Sequence, residues 1–327
     1  ADRTGNSNSL TSGSNSSSMW QTVDRRRRTG RRGPATQNAA AAHISHYLHP
    51  EALKPGKRDS PRNLDPVALS SCVERTVARV QQQGESLRTS AFFKDTLAAI
   101  RLAWHEAVVD TAEFHSAAIE GTTTLCQGKL LCLGIGSVEY STASSHQLAL
   151  AWLLAEELGI ADRSWADPQM GQVDEATGSA FRFTCADSET ALGDLAASSE
   201  SPLVLFMPHC DRGLYDHVLS TSCGNDGIAD GPPPSLVKTL LIGNSFSVYA
   251  ERDELGVCPR GTPGAAGPDS LVSRLRPNTR ERQLPVYAPC QEAFNDLAVM
   301  SFAAASTEAA PAMMAASATA AAAAQAR

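Results

Sequence analysis

Residues 129–140 read KLLCLGIGSVEY, a short apolar run that breaks into Gly134, Ile135, Gly136 and Ser137 before a helical pattern begins. An apolar strand that passes through a glycine turn into a helix is the opening unit of many α/β folds. The glycines allow the backbone to approach a ligand closely, and the amides that open the next helix form an anion site. Because the third glycine of a dinucleotide fingerprint is missing, a purely structural turn is the favoured alternative.

Further apolar runs that predict strands follow this segment at 163–167, 180–185, 202–208, 237–243 and, more weakly, 284–288. Between the first two strands, HQLALAWLLAEELGI (146–160) is apolar on nearly every side and predicts a buried crossover helix that ends at Gly159. Strands that are apolar throughout and alternate with helices indicate a parallel sheet covered on both faces. We therefore expect an α/β fold with an open, Rossmann-like, mostly parallel sheet, flanking helices and disordered termini.

The chain divides into four predicted segments. Residues 1–60 form a basic, Ser-rich N-terminal arm and residues 304–327 an Ala-rich tail, both expected to be disordered. Residues 61–122 form a helical extension, with one helix over 66–83 after the cap Asp65 and a second from Ser90 to about 110. Residues 123–303 form the α/β domain, in which the Gly- and Pro-rich stretches 224–235 and 256–270 predict surface insertions.

The formal charge is −7, and six arginines lie within RRRRTGRR at 25–32. Removing their six positive charges leaves −13 on the remainder, so an acidic body carries one basic arm. The arm is open to three interpretations: a nuclear import signal, a nucleic-acid tether or a solvated disordered run, with nucleic acid the least favoured partner. We expect a protein of the cytoplasm and nucleus.

Cysteine usage argues against a metal-binding or disulfide-rich protein, and hydropathy argues against a membrane-spanning one. The eight cysteines include no CxxC pair, which predicts reduced thiols and no metal site. The longest apolar stretch, residues 148–155, is far shorter than the roughly 20 residues of a membrane-spanning helix, so we expect no membrane partner.

Candidate ligand-binding residues follow the strands, because ligands in such sheets bind beyond the carboxyl ends of the strands. Asp167 could contact a ribose or be a solvated turn residue, and Asn244 could bind a ligand or serve only the turn. His209 and Cys210 are adjacent on the chain and point to opposite faces, which disfavours an activated thiol nucleophile. The predicted site consists of Gly134, Gly136, Ser137, Asp167, His209, Asn244 and Ser245, with its cofactor unknown.

Six blocks of sequence resemble the sensitivity-to-red-light-reduced family. They are CLGIGS (132–137), SSHQLALAWLL (144–154), WADPQM (165–170), LFMPHCDRGLYDHVL (205–219), LIGNSFSVYAER (241–252) and FND (294–296). The resemblance implies motif positions of unknown role at Gly134, Gly136, Ser137, Gln147, Asp167, Pro168, Met207, Pro208, His209, Tyr215, Gly243, Asn244, Ser245, Tyr249, Phe294, Asn295 and Asp296. Two positions depart from the family pattern: Ala166 stands in place of an aromatic residue and Leu297 in place of a hydroxyl residue.

The resemblance implies a regulatory function in circadian timing and phytochrome light signalling, or in related control of gene expression and haem metabolism. It implies no established catalytic activity or ligand. We therefore expect a regulator whose α/β domain binds an unidentified protein partner or a small metabolite. The alternative is an enzyme that uses adenosyl-methionine or a nucleotide in a pocket at the strand ends.

Overall fold

A computed structural model describes residues 65–109, 127–197, 201–223, 232–255 and 270–303. All of these residues belong to one compact unit of the chain, Asn38–Arg327. The predicted disorder of the arm (1–60) and of the tail (304–327) lies outside the described residues, as does most of the two predicted insertions. Among the described residues, none of the helices combines the length and the apolar character that a membrane span needs.

The domain is built on one mixed sheet. Its seven strands are β1 (Lys129–Leu133), β2 (Asp162–Ala166), β3 (Thr184–Cys185), β4 (Leu203–Met207), β5 (Thr239–Asn244), β6 (Thr279–Gln283) and β7 (Leu297–Phe302). Their order across the sheet is β3-β2-β1-β4-β5-β7-β6. The strands β1 to β5 are parallel to one another, whereas β7 runs antiparallel to both β5 and β6. The predicted open, mostly parallel Rossmann-like sheet is confirmed.

Ten α-helices accompany the strands in the part of the chain that the structure describes. They are α1 (Pro66–Thr89), α2 (Ala91–Val109), α3 (Thr142–Leu158), α4 (Gln172–Ala180), α5 (Ser188–Ala197), α6 (Arg212–Cys223), α7 (Pro234–Val237), α8 (Phe246–Glu254), α9 (Leu271–Leu275) and α10 (Gln291–Phe294). The predicted crossover helix is α3, and it ends at Gly159, which adopts the left-handed conformation.

Helices cover both faces of the sheet because its central strands are apolar on both sides. All five residues of β1 are buried. Leu130 and Cys132 face a core that α1, α2 and α3 complete, and Leu131 and Leu133 face a second core that α5, α6 and α8 complete. This alternation along β1 places the sheet as the middle layer of three.

The two N-terminal helices are part of the first core. The carboxylate of Asp65 caps α1 by accepting hydrogen bonds from Val67 N at 3.0 Å and Ala68 N at 2.9 Å. Ser90 Oγ caps α2 by accepting from Phe93 N at 3.1 Å. Both predicted helix starts are confirmed, and α1 continues to Thr89, beyond its predicted end at residue 83.

A close helix contact explains why α1 lies so tightly on the domain. A Cβ atom at Gly84 would lie 2.7 Å from the indole ring of Trp152 on α3, so only glycine allows this separation. The two helices also meet at Arg88 and Glu157, whose charged groups are 3.5 Å apart.

Two strand predictions were wrong, at 284–288 and over most of 180–185, and two strands were missed, β6 and β7. The segment 284–287 is irregular, and a short 3-10 helix, Ala288–Cys290, follows it. Pro285 and Pro289 have no N–H to donate to a strand ladder. The strands on this side of the sheet are β7, which pairs with β5, and the edge strand β6, which is too polar to be read as a strand. Of the predicted strand 180–185, only Thr184–Cys185 pairs, because α4 continues to Ala180 and Arg182 turns the chain with φ 63°.

Candidate functional site

The carboxyl ends of the parallel strands lie at one edge of the sheet. Residues 134–141, 167–171, 208–211 and 244–247 follow β1, β2, β4 and β5 there. Because β7 is antiparallel, residues 294–296, which precede it, reach the same edge, and Leu297 pairs with Asn244. We call these five segments the rim. The chain leaves β1 toward β2 on one side while β4 lies on the other, so the topological switch point falls between β1 and β4.

The loop after β1 requires both of its glycines. Gly134 has φ 73° and Gly136 has φ 80°, a conformation that side chains rarely adopt. The N–H of Gly136 donates a hydrogen bond to Asp167 Oδ2 at 2.7 Å. The other carboxylate oxygen of Asp167 accepts from Gln169 N, also at 2.7 Å. Two predicted site residues from different strands are therefore in direct contact.

A second carboxylate, from α4, holds the same loop. Asp174 is only 1% exposed. Its Oδ1 accepts from Ser137 Oγ at 3.1 Å and from Glu139 N at 3.0 Å, and its Oδ2 accepts from Gly171 N at 2.9 Å. The sequence prediction missed Asp174. Its only local signal is an acidic residue three positions after the glycine that begins a helix.

An arginine from α1 contacts the far side of the loop. The guanidinium of Arg79 donates to the carbonyl oxygen of Val138 and, at 3.2 Å, to that of Glu139. Side chains from α1 and α4 therefore bind both the carbonyl and the amide groups of one loop.

Asn244, at the end of β5, connects β5 to the segment after β4. Its side-chain oxygen accepts from His209 N at 2.9 Å, and its Nδ2 donates to Cys210 O at 2.9 Å and to Tyr249 Oη at 2.8 Å. Its backbone N–H donates to Tyr215 Oη at 2.7 Å, and this hydroxyl donates onward to Met207 O. The amide therefore locks residues 207–210 against β5.

His209 occupies a strained position. Its φ is 55°, a left-handed conformation that is uncommon for residues other than glycine. Its ring Nε2 lies 3.2 Å from the carbonyl oxygen of Ala293 on α10, which also accepts from Gln147 Nε2 at 3.0 Å. The imidazole thus links the segment after β4 to α10 and α3.

Ser245 is fully buried and serves the helix that it begins. Its Oγ accepts from Val248 N at 3.2 Å and donates to Glu281 Oε2 at 2.6 Å. Glu281 Oε1 accepts from the N–H of Ser247 at 3.0 Å and from its hydroxyl at 3.1 Å. A carboxylate from β6 therefore occupies the N-terminus of α8, where a bound anion would otherwise lie.

Cys210 lies at the switch point. Its Sγ is 3.5 Å from Leu133 O, the last carbonyl of β1. Burial raises the pKa of the Cys210 thiol well above its ordinary value, and the charges of Asp167 and Asp211 raise it further. The thiol is therefore protonated at neutral pH and is a poor nucleophile.

The structure brings the seven predicted site residues onto the rim, mostly in separate pairs. Gly136 contacts Asp167, His209 contacts Asn244, Ser137 contacts Asp174 and Ser245 contacts Glu281. Sequence reasoning missed Asp174, Glu281 and Arg79. The described residues contain no group of three or more His, Cys, Asp or Glu side chains placed to hold a metal ion.

The two departures from the family pattern are core positions. Ala166, at the end of β2, is 1% exposed and packs in the second core. Leu297, at the start of β7, is also 1% exposed and packs in the first core. Neither side chain belongs to the polar network of the rim.

The sheet order and the rim define an open α/β domain whose polar groups collect beyond the carboxyl ends of its parallel strands. A family model described as the SRR1 domain matches residues 113–301, which is more than half of the chain, and the chain belongs to this family. Family membership supports an SRR1-type regulatory protein.

Two curated relatives are similar to this chain. Protein SENSITIVITY TO RED LIGHT REDUCED 1 of Arabidopsis thaliana is 28% identical over 130 residues, which cover 38% of this chain and 42% of that protein. SRR1-like protein of Mus musculus is 28% identical over 126 residues, which cover 38% of this chain and 47% of that protein. The chain thus spans less than half the length of either relative. No solved structure matches it.

Proposed function

We propose that this chain is a regulator in circadian-clock and phytochrome light signalling, or in related control of gene expression and haem metabolism. It acts by binding a protein partner or a small metabolite at the rim. Family membership supports the regulatory class, and the name of the Arabidopsis relative, which refers to sensitivity to red light, supports the pathway.

One observation carries the binding role: the backbone of His209 is held in its left-handed conformation by Asn244. Such a conformation costs about 1–3 kcal/mol and persists only where the surroundings over-determine it, typically at ligand-binding and switch regions. The amide of Asn244 and the hydroxyls of Tyr215 and Tyr249 together fix the segment. The rim therefore presents the imidazole on a rigid support, which is the arrangement that binding sites need.

The protonation states at the rim favour binding over covalent catalysis. The raised pKa of Cys210 keeps its sulfur neutral. Burial also raises the pKa of Tyr215 well above its usual range, so that its phenol remains a hydrogen-bond donor to Met207. Neither group is activated as a nucleophile or as a general base at neutral pH.

The arginine-rich segment at 25–32 motivates the second part of the proposal, which is residence in both cytoplasm and nucleus. Replacing its six arginines with glutamine should shift a fluorescently tagged full chain from nucleus to cytoplasm. An unchanged distribution between the two compartments would refute the import role of this segment.

The rim is tested in cells that lack the endogenous gene and carry a clock-gene reporter. His209→Asn removes the imidazole, and asparagine tolerates a positive φ, so the fold is retained. We expect this variant not to restore the period of the reporter, whereas Gly193→Ala, in the middle of α5 with no atom within 4 Å of the new methyl group, should restore it fully. Equal rescue by the two variants, at equal protein levels, would overturn the proposal.

A further inference from the structure

Three residues other than glycine adopt a left-handed backbone conformation in the part of the chain that the structure describes. They are Arg182, His209 and Asp296, with φ of 63°, 55° and 60°. Side chains rarely adopt this conformation, and it persists only where the surrounding structure enforces it. Arg182 belongs to a turn between α4 and β3, whereas the other two residues lie on the rim. The rim therefore contains two of the three strained positions.

The end of β5 holds both of these rim residues. In the sheet β5 lies between β4 and β7, and His209 follows β4 while Asp296 directly precedes β7. The side-chain oxygen of Asn244 accepts from His209 N at 2.9 Å. The N–H of Ser245 donates to Asp296 O, also at 2.9 Å. Two consecutive residues therefore hold strained residues on opposite sides of one strand end.

A direct contact between the two strained segments closes a ring. The imidazole Nε2 of His209 lies 3.2 Å from the carbonyl oxygen of Ala293, three residues before Asp296. We call the members of this ring the latch; they are His209, Asn244, Ser245, Ala293 and Asp296. Because the contacts form a closed ring, a backbone change at His209 alters the contacts that hold Asp296, and the reverse also applies.

The charge of Asp296 contributes little to this arrangement. Its carboxylate forms an ion pair with Arg252 at 2.9 Å, and the side chains of Arg252 and Asp296 are 46% and 45% exposed. Exposed ion pairs contribute little to stability because water and salt screen them. The backbone contacts of Asp296, rather than its charge, therefore hold it in the left-handed conformation.

The residue types at the two strained positions leave a second conformation within reach. Glycine would remove the energetic cost of a positive φ, and a β-branched residue would make that cost prohibitive. Histidine and aspartate lie between these extremes, since both are enriched in the left-handed region relative to most other side chains. A strained backbone that depends on its surroundings is one way in which proteins build a two-state element.

We propose that the latch is a two-state switch that regulates binding at the rim. In the latched conformation, which the structure shows, His209 and Asp296 are left-handed and the imidazole is fixed in place. In the released conformation both residues take a negative φ, and their hydrogen bonds to Asn244 and Ser245 are broken. The inference rests on the proposed function, because it names the regulation of that same site. A partner that binds only the latched conformation shifts the population toward it.

Hydrogen exchange, followed by NMR on the full chain, tests whether the two sides of the latch open together. The informative amides are those of His209 and Ser245, which donate the two bonds that release must break. Asp296→Val disfavours a positive φ and should accelerate exchange at the His209 amide, on the opposite side, by about tenfold or more. His209→Val should accelerate exchange at the Ser245 amide, because coupling between two sites is reciprocal.

A glycine variant tests the opposite direction and keeps the experiment decisive if a valine variant fails to fold. Asp296→Gly removes the cost of the positive φ and should slow exchange at the His209 amide by about threefold or more. Arg182→Val and Arg182→Gly are the matched controls, since they make the same changes at the third strained position. Both controls should leave exchange at the two latch amides unchanged.

The clock-gene reporter connects the latch to regulation. In cells that lack the endogenous gene, Asp296→Val should fail to restore the period of the reporter, because the latched conformation is depleted. Arg252→Gln removes the exposed ion pair and leaves the strained backbone in place, so it should restore the period. Both variants are compared at equal protein levels.

Exchange that is unchanged on the opposite side of the latch in the Asp296 variants overturns the inference and leaves the proposed function standing. Restoration of the period by Asp296→Val, or failure of Arg252→Gln to restore it, also overturns the inference, because strain at Asp296 would then not govern binding. Full rescue by His209→Asn overturns the proposed function itself, whatever the exchange rates are.

Discussion

The carboxylate of Asp174 lies 3.1 Å from the hydroxyl of Ser137, although 37 residues separate them in the chain. This contact joins α4 to the loop after β1, and the same carboxylate oxygen accepts from Glu139 N at 3.0 Å. The loop therefore depends on a side chain that belongs to a different βα unit.

Replacement of Asp174 by alanine should lower the free energy of unfolding by about 3 kcal/mol, because it leaves buried donors without an acceptor. Urea denaturation measures the loss. Asp65→Ala, which removes the exposed cap of α1, should cost only about 1 kcal/mol. Equal losses in the two variants would contradict the bracing role of Asp174.

Gly243→Ala should be among the most destabilising substitutions in β5. The new methyl group would clash with Tyr215 Oη and lie 3.0 Å from Met207 O, and both atoms are held in the Asn244 network. We expect a loss of about 3 kcal/mol or more by urea denaturation.

Gly193→Ala is the matched control, because nothing lies within 4 Å of its added Cβ in α5. This variant should gain up to about 1 kcal/mol from helix propensity. A neutral Gly243→Ala variant would show that the tyrosine can move away at little cost.

Stability should fall as the pH is lowered from 7.5 to 5.5. Burial lowers the pKa of His146, and the Thr142 carbonyl and the charge of Glu292 oppose this shift only in part. Burial likewise lowers the pKa of His217. The unfolded chain therefore binds more protons than the folded chain below about pH 6.5, and protonation favours unfolding there.

Urea denaturation at pH 5.5, 6.5 and 7.5 measures this pH dependence. His146→Gln should reduce the slope of stability against pH, and comparison with the unaltered chain removes the contributions of the carboxylates. His217→Gln should remove its own share independently. The assignment to His146 fails if its variant keeps the full slope.

Arg79→Ala should loosen the loop after β1, because Arg79 alone joins α1 to the carbonyl groups of Val138 and Glu139 among the hydrogen bonds described. Hydrogen exchange at the amides of residues 134–141 should become faster, while the centre of β1 stays protected.

Arg75→Ala provides the comparison, since Arg75 lies one turn earlier on α1 and bonds Ser71 and Cys72 in its own helix. Its removal should leave exchange in the loop unchanged. Similar exchange in the two variants would mean that α1 does not control the loop.

The sequence predicted those parts of the fold that have local patterns. The buried runs of β1, β4 and β5 and the caps Asp65 and Ser90 are visible in the order of residues. Convergence of Gly136 and Asp167 followed from parallel strand direction alone. The edge strand β6, TRERQ, was not predicted because its residues are charged or polar and only partly buried. The strand β7 was not predicted either, although its six residues form a mostly apolar run.

The supports of the rim could not be predicted in the same way. Glu281 resembles an ordinary surface charge until β6 is placed at the sheet edge, where it reaches Ser245, 36 residues earlier. Asp174 resembles a routine first-turn acid of a helix. Their roles depend on contacts between distant elements, which no short window of sequence contains.

The packing of α1 and α2 sets a practical limit on trimming the gene. The family match begins at residue 113, after both helices, yet Val80, Leu87, Phe93 and Ile100 are buried in the core that they share with the sheet. A polypeptide that starts at residue 113 would expose an apolar face of the sheet to water and would tend to precipitate. Recombinant production of a well-behaved sample therefore has to start ahead of Asp65.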